Sequence, residues 1–87
     1  MEKISSLQNT RIKNIIKLSS KSKERRDQGL FIIEGARELS LAISGGYCFD
    51  SVFICPDLFA KTNYPQVLEA IDQNIVFEVT IPVFQKI

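Results

Sequence analysis

The residues best able to do chemistry are cations near the amino terminus: Lys13, Lys17 and Lys21 at intervals of four, then Lys23, Arg25 and Arg26. Side chains four apart on a helix stand one above another, so the three lysines form one stripe. No carboxylate sits four residues ahead of any of them. A stripe of unpaired ammonium groups that runs on into two guanidinium groups attracts a polyanion, above all the phosphates of a nucleic acid. A merely solvated helix face is the bland reading of the same pattern. Residues 1–26 hold eight basic side chains against two acidic ones, a balance of +6, while the remaining 61 residues hold three against eight and balance at −5. A basic arm beside an acidic body directs a polyanion to the arm.

Catalytic groups are scarce. The 87 residues contain no histidine and two cysteines, so neither a Ser–His nor a Cys–His nucleophile pair can form, nor a four-ligand zinc site. The carboxylates show no paired spacing, and Gly35, Gly45 and Gly46 make neither a dinucleotide fingerprint nor a phosphate loop. This chain alone is expected to have no catalytic residue, no metal and no cofactor. No run approaches the ~20 apolar residues of a membrane helix, and the amino terminus lacks the apolar segment of a signal peptide, so a cytoplasmic protein without membrane contact is expected. In that reducing compartment Cys48 and Cys55 read as small buried apolar residues, not as a disulfide.

The elements that position the cations follow from periodicity. One domain is expected over residues 1–87, with 45% hydrophobic and 24% charged residues, ordinary values for a globular chain. From Asn9, a natural N-cap, Ile12, Ile15, Ile16 and Ser19 share one arc of a helix. Serines 19, 20 and 22 compete for backbone hydrogen bonds and predict a break, with a second short helix ending near Gly29. Leu30 to Ile33 is an uninterrupted apolar run, which predicts a strand covered on both faces. Gly35 opens a helix whose Ala36, Leu39, Ala42 and Ile43 face inward while Arg37, Glu38 and Leu41 face out, and Gly45–Gly46 closes it. Phe49 to Cys55 predicts a second strand ended by Pro56–Asp57, and residues 56–64 a loop. Pro65 suits the first turn of a helix, with Val67, Leu68 and Ile71 as its buried face up to Asn74. Ile75 to Thr80 predicts a third strand, and Thr80 caps a last helix. Strands alternating with helices at this spacing predict a three-layer α/β/α sandwich on a mainly parallel sheet of three or more strands.

At the central turn Glu34 and Arg37 invite different roles. Glu34 closes the expected strand beside the free amides and positive end of the next helix, which makes Glu34 and Gly35 a structural turn. Arg37 stands off the apolar face at the sheet edge where ligands of open α/β sheets bind, and its planar fork suits a phosphate or a guanine edge.

Asn9, Ile12–Lys13, Leu18, the Lys/Arg run, Phe31 and Glu34–Gly35–Ala36–Arg37 together resemble the N-terminal substrate-binding domain of the SpoU-type (TrmH-like) RNA 2′-O-ribose methyltransferases. The resemblance spans essentially the whole chain and is sharpest where the early Asn and Lys combine with the Phe-Ile-Ile-Glu-Gly segment. It implies the fold of ribosomal proteins L30e and L7Ae and a role in RNA recognition, with ribosomal RNA favoured over transfer RNA. Stripe, turn and resemblance together give Asn9, Lys13, Lys17, Lys21, Arg25, Arg26 and Arg37 as the expected RNA-binding residues. One family arginine precedes the apolar strand, and either Arg25 or Arg26 can match it, Arg25 being favoured. S-adenosylmethionine would bind a knotted catalytic domain whose motifs are absent from these residues. The family domain continues past the last helix, so the chain reads as a truncated piece. The parent would be a homodimer, and this piece monomeric or weakly associated. A free-standing L7Ae-like RNA-binding module and an α/β protein unrelated to RNA are the alternatives.

Overall fold

The computed structural model describes residues 2–59 and 68–87. Its strands are β1 (Glu2–Ile4), β2 (Val52–Ile54) and β3 (Val76–Val79). Its helices are α1 (Thr10–Ser20), α2 (Ser22–Gln28), α3 (Ala36–Ser44), the single turn α4 (Pro56–Phe59) and α5 (Ile81–Lys86), with a 3-10 turn at Gln73–Ile75. The sheet order is β1-β3-β2 and both pairings are parallel: Glu2 lies opposite Phe77 on one side of β3, and Val52 opposite Val76 on the other.

Alternation along the strands separates two apolar cores. Phe77 and Val79 point to one face, where they meet Ile4, Ile12 of α1 and Val83 of α5. Val76 points to the other face, where it meets Val52, Ile54, Leu39 of α3, Leu68 and Ile71. Helices therefore cover both faces of an all-parallel sheet, the three-layer arrangement expected from the alternation of strands and helices.

Several local readings hold. The Asn9 side chain accepts from the Arg11 amide at 2.9 Å and caps α1. The Ser19 and Ser20 hydroxyls donate back to the Ile15 and Ile16 carbonyls, α1 stops at Ser20, and α2 ends at Gly29 with φ of +67°. In α3, Leu39 and Ala42 are buried while Arg37, Glu38 and Leu41 are exposed.

Other readings are corrected. Residues 30–33 form no strand: Phe31 is 58% exposed, and the Leu30 amide donates to the Arg25 carbonyl at the end of α2. A strand covered on both faces needs a ladder partner, and residues 30–33 pair with neither outer strand of the sheet; they line a cavity beside β2 instead. The third strand of the sheet is β1, which the sequence hides because Glu2 and Lys3 are exposed and only Ile4 is buried. The second strand is trimmed to Val52–Ile54, and Pro56 starts a helical turn inside the expected loop. On α1 the buried stripe is Ile12 and Leu18, with Ile15 packed beside them, so Ile16 at 42% exposure and Ser19 turn to solvent. Cys48 is exposed and Cys55 buried, both as free thiols. Leu68 is helical and buried as expected, and Ile71 is buried too, but from residue 69 to Asn74 turns and the 3-10 segment, capped by Asp72, replace helix. The expectations for Asn63, Tyr64, Pro65 and Val67 lie outside the described residues.

Candidate nucleic-acid interface

The basic surface is built on two short helices meeting at a corner. On α1, Lys13 and Lys17 are exposed, and Lys21, the residue at which the backbone turns extended, is exposed as well. Lys23 and Arg26 of α2 are exposed and continue the cationic run. α2 buries none of its residues, so apolar burial does not hold it in place. Polar fasteners do. Asn14 and Gln28 exchange two amide hydrogen bonds, at 3.0 and 2.8 Å, and Gln28 also donates to Glu24.

Arg25 completes the corner. It is half-buried, and its Nη1 donates to the Leu18 carbonyl at 2.6 Å, with the Ser19 carbonyl at 3.5 Å. These are end carbonyls of α1, which lack intrahelical partners and carry the negative end of the helix dipole. Arg25 thus satisfies α1 and orients α2, whereas Arg26 beside it is free to meet a ligand. Asn9 is likewise engaged locally, its oxygen serving as the α1 cap.

Arg37 does not join this surface. It is exposed in the first turn of α3, which packs on the sheet face opposite to α1. Gly35 sits at the N-cap of α3 with φ of +98°, a value that L side chains rarely adopt. The acid in the first turn is Glu38, whose carboxylate lies so close over Gly35 that a β-carbon there would meet Oε2 at 2.6 Å. The role assigned to Glu34 falls to Glu38, because with no strand at residues 30–33 Glu34 is an exposed residue of an irregular segment.

Sequence reasoning missed a second feature. A cavity of about 420 Å³ opens at the free edge of β2, walled by Arg11, Ile15 and Leu18 of α1, by residues 29–35 and 47–53, and by Phe84 and Ile87. The Arg11 guanidinium lies 4.3 Å from the centroid of Phe77, whose ring stacks on Phe53 at 5.4 Å. Phe31 meets Tyr47 edge to face at 5.9 Å and 79°. The aromatics are scattered along the chain, and Arg11 counts in the sequence as one basic residue among eight, so no local pattern announces them. Among the described residues no cluster of His, Cys, Asp or Glu could hold a metal ion, and no helix is long and apolar enough to cross a membrane.

Comparison with known proteins adds a family. No curated protein and no solved structure matches the chain. The family model described as the MRM3-like substrate binding domain matches residues 9–87, from the Asn9 cap through both basic helices and strands β2 and β3 to the last residue. This chain belongs to the MRM3-like substrate-binding domain family.

Proposed function

We propose that the chain is the RNA-recognition domain of a SpoU-type RNA 2′-O-ribose methyltransferase, with ribosomal RNA as substrate. Family membership supports RNA binding on behalf of a methyltransferase. The observation that carries the reading to residues is the exposed stripe Lys13, Lys17 and Lys21, extended by Arg26 across a corner that Arg25 fixes. These cations hold the phosphates, and Arg37, on the opposite layer, is a separate contact available to RNA that passes the sheet edge. Asn9 contributes by setting the start and direction of α1.

S-adenosylmethionine is expected to bind outside these residues. The cofactor and the dimer contact belong to a catalytic domain elsewhere in a cytoplasmic parent enzyme. Calorimetry of residues 1–87 with S-adenosylmethionine is expected to give no binding; a micromolar dissociation constant would place the cofactor here instead.

The test of RNA binding is its dependence on salt. Each neutralised phosphate on a single strand contributes about −0.7 to the slope of log K against log salt, so changing Lys13, Lys17 and Lys21 together to alanine is expected to flatten it by about 2. An unchanged slope would move the RNA to another surface.

A further inference from the structure

The cavity at the β2 edge has a chemistry distinct from the lysine stripe. Phe31 and Tyr47 are 58% and 57% exposed, and their edge-to-face arrangement leaves ring face open to an incoming planar group. Arg11, exposed in the lining, places its guanidinium 4.3 Å from the Phe77 centroid and adds a cation to the wall. Asp50 brings a carboxylate to the lining, which accepts hydrogen bonds from exocyclic amino groups. At about 420 Å³ the cavity falls within the 300–1,000 Å³ typical of small-ligand sites.

Charge identifies the occupant. Arg11 is on the same helix as Lys13 and Lys17 but about 160° and 120° round it, so RNA held on the stripe reaches the cavity by bending round α1 with an unpaired nucleotide turned inward. Glu34 and Asp50 in the lining repel phosphate, which keeps a nucleic-acid backbone on the stripe and admits only its neutral part. Aromatic faces, a guanidinium and a carboxylate acceptor together match an unpaired base. We propose that the cavity is a subsite for one unpaired nucleobase of RNA held by the α1 cations, stacked on one ring of the Phe31–Tyr47 pair with the other ring against its edge, and with amino-bearing bases favoured over uracil by Asp50. This rests on the RNA-binding reading above and adds a base-contacting site to it.

The probe is a short single-stranded RNA carrying one 2-aminopurine, compared with the same RNA carrying an abasic nucleotide at that position. The unmodified protein is expected to quench the fluorophore at saturation and to bind the abasic RNA about five- to a hundredfold more weakly. Phe31→Leu and Tyr47→Leu keep the apolar volume, and are expected to abolish the quench, lose a similar factor in affinity and become indifferent to the abasic change, with the salt slope intact. Lys13, Lys17 and Lys21 changed to alanine should flatten the slope but quench normally at saturation. If the unmodified protein binds both RNAs equally and with a steep salt slope, the base subsite is wrong and the phosphate surface stands. No RNA binding under any salt overturns both. A dimer in sedimentation that Phe31→Leu dissolves would give the cavity to a second copy and end the proposal.

Discussion

The Arg25 guanidinium donates to the Leu18 carbonyl at 2.6 Å, and its neighbour Arg26 is exposed, so two adjacent arginines divide structure from binding. A charged hydrogen bond to a helix-end carbonyl, discounted for the half-exposed setting, contributes about 1 kcal/mol. Arg25→Ala is therefore expected to lower the melting temperature by roughly 4–8 °C, the shift that 1 kcal/mol produces in a domain of this size. Arg26→Ala should melt like the parent and reduce the salt slope of RNA binding by about 0.7. Equal melting temperatures for the two variants would show that the Arg25 contact contributes nothing. Gly35 is a second residue-scale case: its φ of +98° makes Gly35→Ala cost about 1–3 kcal/mol in backbone strain, to which the crowding against Glu38 adds. Glu38→Gln should lose a few tenths of a kcal/mol at the α3 dipole, and Glu34→Gln should change nothing measurable in thermal melts.

At the scale of elements, α1 and α2 are held by different forces. α1 buries Ile12 and Leu18 in the core, whereas α2 buries no residue and depends on Arg25 and the Asn14–Gln28 amide pair. Amide hydrogen exchange is expected to show α2 opening at much lower free energy than the Ile12 turn of α1, and Gln28→Ala to widen the gap. Equal protection of the two helices would contradict this. The strands give the matching contrast. Ile4 is 2% exposed on a strand of three residues, so Ile4→Ala is expected to cost about 2–4 kcal/mol; Phe31→Ala, at a 58% exposed site, should cost far less. Denaturant melts of the two variants decide whether β1, rather than the apolar run at 30–33, completes the sheet.

Over the whole molecule, the +6 arm and the −5 remainder make the chain an electrical dipole whose net charge of +1 conceals its partner. Association with RNA should be fast at low salt and fall steeply as salt rises, because the attraction is carried by exposed cations. Of the exposed large apolar residues, Phe31, Tyr47 and Phe84 line the same cavity, while Leu7, Ile16, Leu41 and Leu58 lie on separate segments. Sedimentation is accordingly expected to give a monomer at low micromolar concentration; a stable dimer would mean that some of them form one surface.

Where local rules suffice, the sequence determined the outcome. Asn9 caps α1, three serines break it, and Gly29 and Gly46 turn with positive φ, because each depends on neighbours a few residues away; the parallel sheet between helical layers was legible from the alternation of strands with helices, although its pairings span most of the chain. The lysine stripe was legible locally, being only a spacing of four. Tertiary structure decided what local rules leave open. Four apolar residues at 30–33 satisfy strand and cavity wall equally well, and in the folded chain they wall the cavity beside β2 without joining either outer strand. Arg25 and Arg26 are alike in sequence, and only the corner between α1 and α2 turned one inward. The aromatic cavity was beyond reach because Arg11, Phe31, Tyr47 and Phe77 lie far apart in the chain, and only the packing of a helix against a sheet edge brings them to one site.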